Sequence, residues 1–306
     1  MDEHISALGT EGWRRDLADL DLRGTEDMVA AMNATDAEVH QAVAAAKASI
    51  AAAVDAVTER LNRGGRLIYV GAGTPGRLCE LDAAECGPTY NVDTVLALVA
   101  GAQLSGRARE AAEDDRAAGE ADLRGVELTA HDAVLGVTAS GRTPYVRGAI
   151  AYARSVGAIT VGLCSNAGAT LSGEVDVPIE VLTGAEVVLG STRLKAGTAQ
   201  KMVLNMVSTL SMIRHGRTFG NLMIDVRADN EKLRIRAAKM VALASGVSEE
   251  EAASALAGSD YETRTAVLSL TAGVTPEEAR RRLAEHGGDL RGAVGPVMPG
   301  AVSPAR

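Results

Sequence analysis

Five short apolar runs, each cut off by a turn, limit the possible folds of this chain more than any other feature. They are residues 67–70, 95–99, 133–137, 158–163 and 177–181. Runs of this length bounded by turns read as strands buried on both faces, not as strands with one wet side. Helical patterns lie around and between them. Val43, Ile50, Val54, Val57 and Leu61 recur at helical spacing and predict one helix, stopped by Arg63-Gly64-Gly65. Residues 145–156 read as a second helix. Residues 198–214 read as a third, with Met202, Met206, Leu210 and Ile213 on one side. Strands alternating with helices imply βαβ units, and so an α/β fold whose parallel sheet is covered on both faces.

From about residue 231 the strands stop and an internal repeat begins. GVSEEEAASALAGSDYETRTAV starts at Gly246 and GVTPEEARRRLAEHGGDLRGAV at Gly273. Each copy opens with a capping box, Ser248 with Glu251 and Thr275 with Glu278, and each places a leucine, Leu256 or Leu283, on the buried side. The expected organisation is an N-terminal arm over 1–35, an α/β domain over 36–230, a small helical (UBA-like) domain over 231–295 and a disordered Pro/Gly-rich tail over 296–306.

A chain of 306 residues is long enough for one large α/β domain and an appendage. Aromatics make up only 2%, so the core must be built from Ala, Val, Leu, Ile and Met. The formal net charge of −9 argues against nucleic acid as a partner, because that needs a basic face. No apolar run reaches the length of a membrane span, and the N-terminus lacks an apolar signal core, so no membrane partner is expected. Cys79, Cys86 and Cys164 have no metal-ligand spacing and read as reduced thiols. The expectation is a cytoplasmic protein.

Two loops carry the candidate chemistry. Gly71 to Arg77 follows the first strand, and the segment TASGRTPY, from Thr138, follows the third. Each is a Gly- and hydroxyl-rich turn that opens a helix at the carboxyl end of a parallel strand, where free N–H groups and the helix dipole favour an anion. The first has G-x-G-x-x-G spacing, but no acidic residue follows at the distance a dinucleotide site needs. Two such loops in one sheet favour phosphate binding over ordinary tight turns. A third segment, Gly190 to Lys201, offers hydroxyls and cations before a helix. Glu85 lies among small and apolar neighbours, which predicts partial burial and a raised pKa. Glu113, in AAEDDRAAG, reads by itself as a solvated face. His131 and His215 have no partners at metal spacing and read as structural.

The blocks LIYVGAGTPGRLCELDAAECGPTY, EDDRAAGEADL, VTASGRTPYVRGAIAYARSVGAITVGLCSN and GSTRLKAGTAQKMVLNMVSTLSMIRHGRTFGNLMIDVRADNEKL resemble, in order, those of the N-acetylmuramic acid 6-phosphate etherases. The resemblance runs from about residue 25 to about 295. It implies the sugar isomerase (SIS) fold, a flavodoxin-like α-β-α sandwich, shared more loosely with the glucokinase regulatory protein. The implied activity is cleavage of the D-lactyl ether of the sugar phosphate, and no metal or organic cofactor is implied. On this resemblance Glu85 and Glu113 are the catalytic pair. Asp114 is the alternative for the second, because residues 92–112 are shorter than usual. Glu85 is assigned as proton donor and Glu113 as base, with the reverse left open. Gly73, Thr74, Ser140, Arg142, Thr143, Ser191, Thr192 and Lys195 are the expected sugar-phosphate contacts, and a homodimer with shared active sites is expected. Three departures weaken the match: Pro75 stands where the family carries Ser, GAEV (184–187) stands for GPEV, and CGPT (86–89) for CPPT. The competing readings are an aldose–ketose isomerase of the same fold and a sugar-phosphate sensor that regulates a partner.

Overall fold

The computed structural model describes residues 8–225, 231–295 and 299–300. Most of the 296–306 segment, expected as a disordered tail, therefore lies outside the described residues. The chain divides into two compact units, Met1–Ala84 with Thr94–Ser211, and Glu85–Asp93 with Met212–Arg306.

In the first unit the five apolar runs form the strands β1 (Leu67–Gly71), β2 (Val95–Val99), β3 (Ala133–Val137), β4 (Ile159–Cys164) and β5 (Val177–Glu180). All pair in parallel, in the order β2-β1-β3-β4-β5. Every residue of β1 and β3 is buried, as a sheet covered on both faces requires.

The alternation of side chains sorts the helices into layers. Ile68, Val70 and Val134 point one way. They share a core cluster with Leu123 of α5 (Arg116–Gly125) and with Val146, Ala149 and Ile150 of α6 (Pro144–Val156). Tyr69 points the other way and donates its hydroxyl to Asp82 of α3 (Gly73–Tyr90) at 2.8 Å. Asp82 also accepts from Asn205 of α7 (Lys195–Arg214) at 2.7 Å. The result is the α-β-α sandwich that the sequence predicts.

Two helices precede β1 where the apolar stripe predicts one. α1 (Thr25–Ala45) ends at Ala46, whose ψ of 7° leaves the helical region, and α2 (Lys47–Asn62) begins beyond it. The stripe residues are buried all the same, Val43 on α1 and the other four on α2. α1 begins inside the segment read as an irregular arm, after 3₁₀ turns that among the described residues lie at Gly9–Glu11, Arg15–Leu17 and Leu20–Leu22. Between β2 and α5 lies a short helix, α4 (Gly106–Ala111).

The second unit contains a hairpin that the sequence reading missed, β6 (Thr218–Phe219) with β7 (Leu222–Met223). Among the described residues five helices follow: α8 (Glu231–Ser245), α9 (Glu249–Gly258), α10 (Thr263–Ala272), α11 (Pro276–Glu285) and α12 (Leu290–Val294). The repeat is visible in their caps. Ser248 Oγ accepts the Glu251 N–H at 3.2 Å and Thr275 Oγ1 accepts the Glu278 N–H at 3.3 Å. Leu256 and Leu283 are buried in one core with Phe219 and Val241.

Candidate active site

The strand order reverses between β1 and β3, and in open parallel sheets ligands bind beyond the carboxyl ends of the strands at that point. Gly71 and Val137, the last residues of β1 and β3, are register partners. The two loops singled out from the sequence therefore leave the sheet side by side.

Glycine shapes the first loop. A Cβ on Gly76 would sit 2.6 Å from Val99 Cγ1 and 3.0 Å from the Gly71 carbonyl, so the turn closes backbone on backbone. Gly73 has φ +58°, where L side chains are strained, and it is exposed beside half-buried Thr74. Pro75 is the third residue of α3. First-turn N–H groups have no intrahelical acceptor, so proline is tolerated there, but one donor that an anion would otherwise meet is gone.

The second loop is braced by its own hydroxyls. Thr138 and Thr143 hydroxyls lie 2.7 Å apart, and Ser140 Oγ accepts the Arg142 N–H at 3.2 Å. Thr143 is the N-cap of α6, yet its side chain makes no cap hydrogen bond. The first-turn N–H groups of α6 are thus left uncapped by a side chain, in a place suited to an anion. Ser140, Arg142 and Thr143 are each half-buried. Outside the loop, Asn166 donates to the Ala139 carbonyl at 2.9 Å and also to Thr10 Oγ1 at 3.1 Å. Thr10, in the first 3₁₀ turn, is buried, so the N-terminal arm is fastened to the backbone of the second loop.

The third segment is brought against the first loop, because Gly197 packs on Thr74, with Cγ2 3.4 Å from where a Cβ would stand. Its buried cation is already engaged. Glu186, fully buried, accepts the N–H of Lys195 at 2.8 Å and of Ala196 at 3.0 Å, and so caps α7. Lys195 is buried and pairs through Nζ with Glu38 at 2.8 Å. Glu38 also pairs with Arg14 at 3.1 Å. The Lys195 hydrogen bond, with Arg14 behind it, holds the Glu38 carboxyl below the usual range against its partial burial. Ser191 and Thr192 are half-buried at the mouth of this turn. Glu186, Glu38, Asn166 and Thr10 are the organising residues that sequence reasoning did not single out. Glu186 was visible in the GAEV departure, but nothing in the pattern marks it as a helix cap.

The two glutamates differ in setting. Glu85 is exposed on α3, so the partial burial expected from its neighbours is not found. The exposed face it shares carries Leu81, Ala84 and Pro88 at helical spacing, with Leu81 52% exposed. Of the small and apolar neighbours that predicted burial, Leu81 and Ala84 are exposed, Ala83 is half-buried and only Cys86 is buried. Glu113 sits in a 3₁₀ turn, Ala112–Asp114, which packs against α6, the helix that the second loop opens. Desolvation by the surrounding chain, then the charges of Asp114 and Glu110, raise its carboxyl above the ordinary glutamate value, although the side chain reaches solvent. Asp115, two residues on, caps α5 through the Ala118 N–H at 3.0 Å. His215 is held below its usual pKa by burial, then by Arg217 and Arg264, which agrees with a structural role.

The sheet order, with two anion-suited loops at its reversal, is that of a doubly wound α/β protein, and its family matches make it a SIS-domain protein. Residues 49–154 match the glucokinase regulatory protein N-terminal SIS domain, and residues 220–275 match the C-terminal lid domain of glucokinase regulatory protein. More particularly, the chain belongs to the N-acetylmuramic acid 6-phosphate etherase family. It is 51% identical to the N-acetylmuramic acid 6-phosphate etherase of Streptomyces avermitilis, over 96% of each chain. It is 53% identical to that of Rubrobacter xylanophilus, over 96% of this chain and 98% of the relative. With that of Mycolicibacterium smegmatis the identity is 48%, over 95% of this chain and 99% of the relative.

Proposed function

We propose that this chain is a carbon–oxygen lyase that cleaves the D-lactyl ether of N-acetylmuramic acid 6-phosphate, giving N-acetylglucosamine 6-phosphate and D-lactate. The observation that carries the reading is the pair of glycine-rich loops at the β1/β3 reversal, the second opening a helix without a side-chain cap, in a chain about half identical to proteins of that name. The phosphate is assigned to Gly73, Thr74, Ser140, Arg142 and Thr143. Ser191 and Thr192 line the sugar, and Lys195 acts through its charge beside Glu38. Pro75 makes the second loop the main phosphate anchor.

An ether is a poor leaving group, so direct displacement is slow. With the sugar ring open, the C1 aldehyde acidifies the proton on C2. Glu113 takes that proton, the C3–O bond breaks, and Glu85 gives a proton to the departing lactate oxygen. Water then adds at C3 of the unsaturated aldehyde. Its proton goes to one carboxylate and the other returns a proton to C2, so the net change is ether plus water. A raised proton affinity suits Glu113 as the base, because a more basic carboxylate pulls harder on a weak carbon acid. No metal or organic cofactor enters this route.

We further propose a homodimer with shared sites. On α3, Glu85 lies eleven residues beyond Thr74, roughly 16 Å of helix rise, which is farther than phosphorus lies from C3 in one hexose 6-phosphate. Glu85 would then serve the sugar held by the partner's loops. The exposed Leu81 beside Glu85, and Leu210 and Ile213 on the outer face of α7, are 52%, 43% and 39% accessible and are the surfaces a second copy would cover.

By the same reading, residues 36–230 do the sugar-phosphate binding, 231–295 form the accessory helical domain, and 1–35 are the arm. The reaction belongs to amino-sugar catabolism and peptidoglycan recycling in the cytoplasm, where the buried free thiols of Cys79, Cys86 and Cys164 would stay reduced. No helix among the described residues is long and apolar enough to cross a membrane.

The test is D-lactate release from N-acetylmuramic acid 6-phosphate, with Glu85→Gln run alongside. Lactate from the wild type and a loss of at least about 100-fold in the variant is the expected result. Binding of the sugar phosphate without lactate would sink the etherase reading in favour of a sensor.

A further inference from the structure

α7 buries one face, and that face contains a residue that does not belong in an apolar row. Ala196, Ala199, Val203, Leu204 and Val207 are fully buried along it. At 3.6 residues per turn, Gln200 falls in the middle of the same stripe and is only 1% exposed. Neither its Nε2 nor its Oε1 has a hydrogen-bond partner.

An amide buried with both ends unpaired is costly, and native proteins almost always pair such groups. The neighbouring polar groups are already committed. Both oxygens of Glu186 are taken by the N–H groups of Lys195 and Ala196, and the Lys195 ammonium is taken by Glu38. Gln200 also sits where a ligand would come. It lies less than a turn beyond Gly197, which packs against Thr74 of the first loop. Two more buried hydroxyls without partners lie at the same edge of the sheet, Ser165 directly after β4 and Thr183 just after β5. Of the unpaired buried side chains described in this unit, only Thr94, ahead of β2, lies elsewhere.

We infer that Gln200 is a substrate-contacting residue whose buried amide is paired by the bound sugar phosphate. The inference rests on the etherase reading and deepens it. Because Nε2 donates and Oε1 accepts, the matching group on the ligand must offer both an acceptor and a donor. The acetamido group at C2 does this, and so does a hydroxyl. Gln200 would be saturated only in the complex, so the free protein is less stable than it would be with an apolar side chain there.

The experiment compares the wild type with Gln200→Leu, which keeps the size and removes both polar ends, and with Gln200→Glu, which keeps the shape and removes the donor. The free Gln200→Leu protein is expected to melt at or above the wild-type Tm. Its kcat/KM for lactate release should fall on the order of 10- to 100-fold. The rise in Tm that N-acetylglucosamine 6-phosphate gives the wild type should shrink in both variants. Inhibition constants for N-acetylglucosamine 6-phosphate and glucose 6-phosphate locate the contact. Weakening of the first alone assigns it to the acetamido group, and weakening of both assigns it to a hydroxyl. Unchanged kcat/KM with a raised Tm would overturn the inference, since the amide would then be a tolerated defect. A clear loss of Tm in free Gln200→Leu would also overturn it, since the amide would then be paired inside the fold. If the wild type itself releases no lactate, the etherase reading fails, and the Tm response to the sugar phosphate decides the Gln200 contact by itself.

Discussion

At Glu113 the surroundings and the proposed chemistry, in which it is the base, act on the same proton. Desolvation, then Asp114 and Glu110, raise its carboxyl above the ordinary value, so the folded chain holds the proton to higher pH than the unfolded chain does. Stability therefore falls as pH rises through the window between the ordinary and the raised pKa, and the cost persists at neutral pH. Glu113→Gln removes that cost. Its Tm should exceed the wild-type value at neutral pH and meet it below the ordinary carboxylate range, while lactate release is lost. The base must be ionised to work, so the acid limb of the kcat/KM profile should lie above an ordinary glutamate pKa. Asp114→Asn, which removes the nearer like charge, should move that limb to lower pH. A limb that stays put would show that another group sets it. The sequence pointed to Glu113 only through the resemblance, because an acidic stretch and a solvated face have the same composition. It pointed to Lys195 as a cation, but the pairing with Glu38 brings together residues 157 positions apart, which no local pattern encodes.

Among the elements, α5 and α6 show how closely the second loop is held. A Cβ on Gly119 would stand 2.1 Å from the Tyr145 carbonyl oxygen, and one on Gly148 would stand 2.0 Å from that of Arg116. Backbone oxygens cannot swing aside, so the helices can meet this closely only with glycine at both positions. Gly148→Ala should cost about 3 kcal/mol and lower Tm on the order of 5–10 °C, read by calorimetry. Because α6 opens at the second loop, KM for the sugar phosphate should rise with it. An unshifted Tm would mean that the helices separate freely. The elements were readable to different degrees. The strands were legible within a residue or so, β1 and β3 because full burial leaves an unbroken apolar run, and β2 and β5 despite being only partly buried at the sheet edges. The loops were legible because glycine and hydroxyls are concentrated where the sheet reverses. The working face of α7 was not. Met202, Met206, Leu210 and Ile213 make as good a stripe as Ala199, Val203 and Val207, and only the fold shows that the second stripe is buried while Leu210 and Ile213 stay accessible. The break at Ala46 leaves no mark either, since alanine is the best helix former and nothing in its row interrupts the period.

For the molecule as a whole, the open question is how many chains make one site. An apolar stripe left accessible on α7 and the glutamate proposed as proton donor, exposed beside Leu81, are what one subunit of the proposed symmetric pair would present. The helix rise between Thr74 and Glu85 argues that a sugar anchored at one chain's loops receives its proton from the other chain. Mixing two inactive variants tests this directly. One is Glu85→Gln. The other is Ser140→Asp, whose charge repels the phosphate from the second loop. Unfolded together and refolded at equal amounts, half the dimers should carry one of each. If loops and Glu85 come from different chains, each mixed dimer has one site with both parts intact and one with both spoiled, so the mixture should recover about a quarter of wild-type lactate release. If they come from the same chain, every site lacks one part and the mixture stays as inactive as its components. Sedimentation of the wild type sets the frame. A dimer that recovers activity establishes the shared site. A dimer that recovers none places Glu85 and the loops in one chain, and a monomer with full activity would show that the accessible stripe has another use.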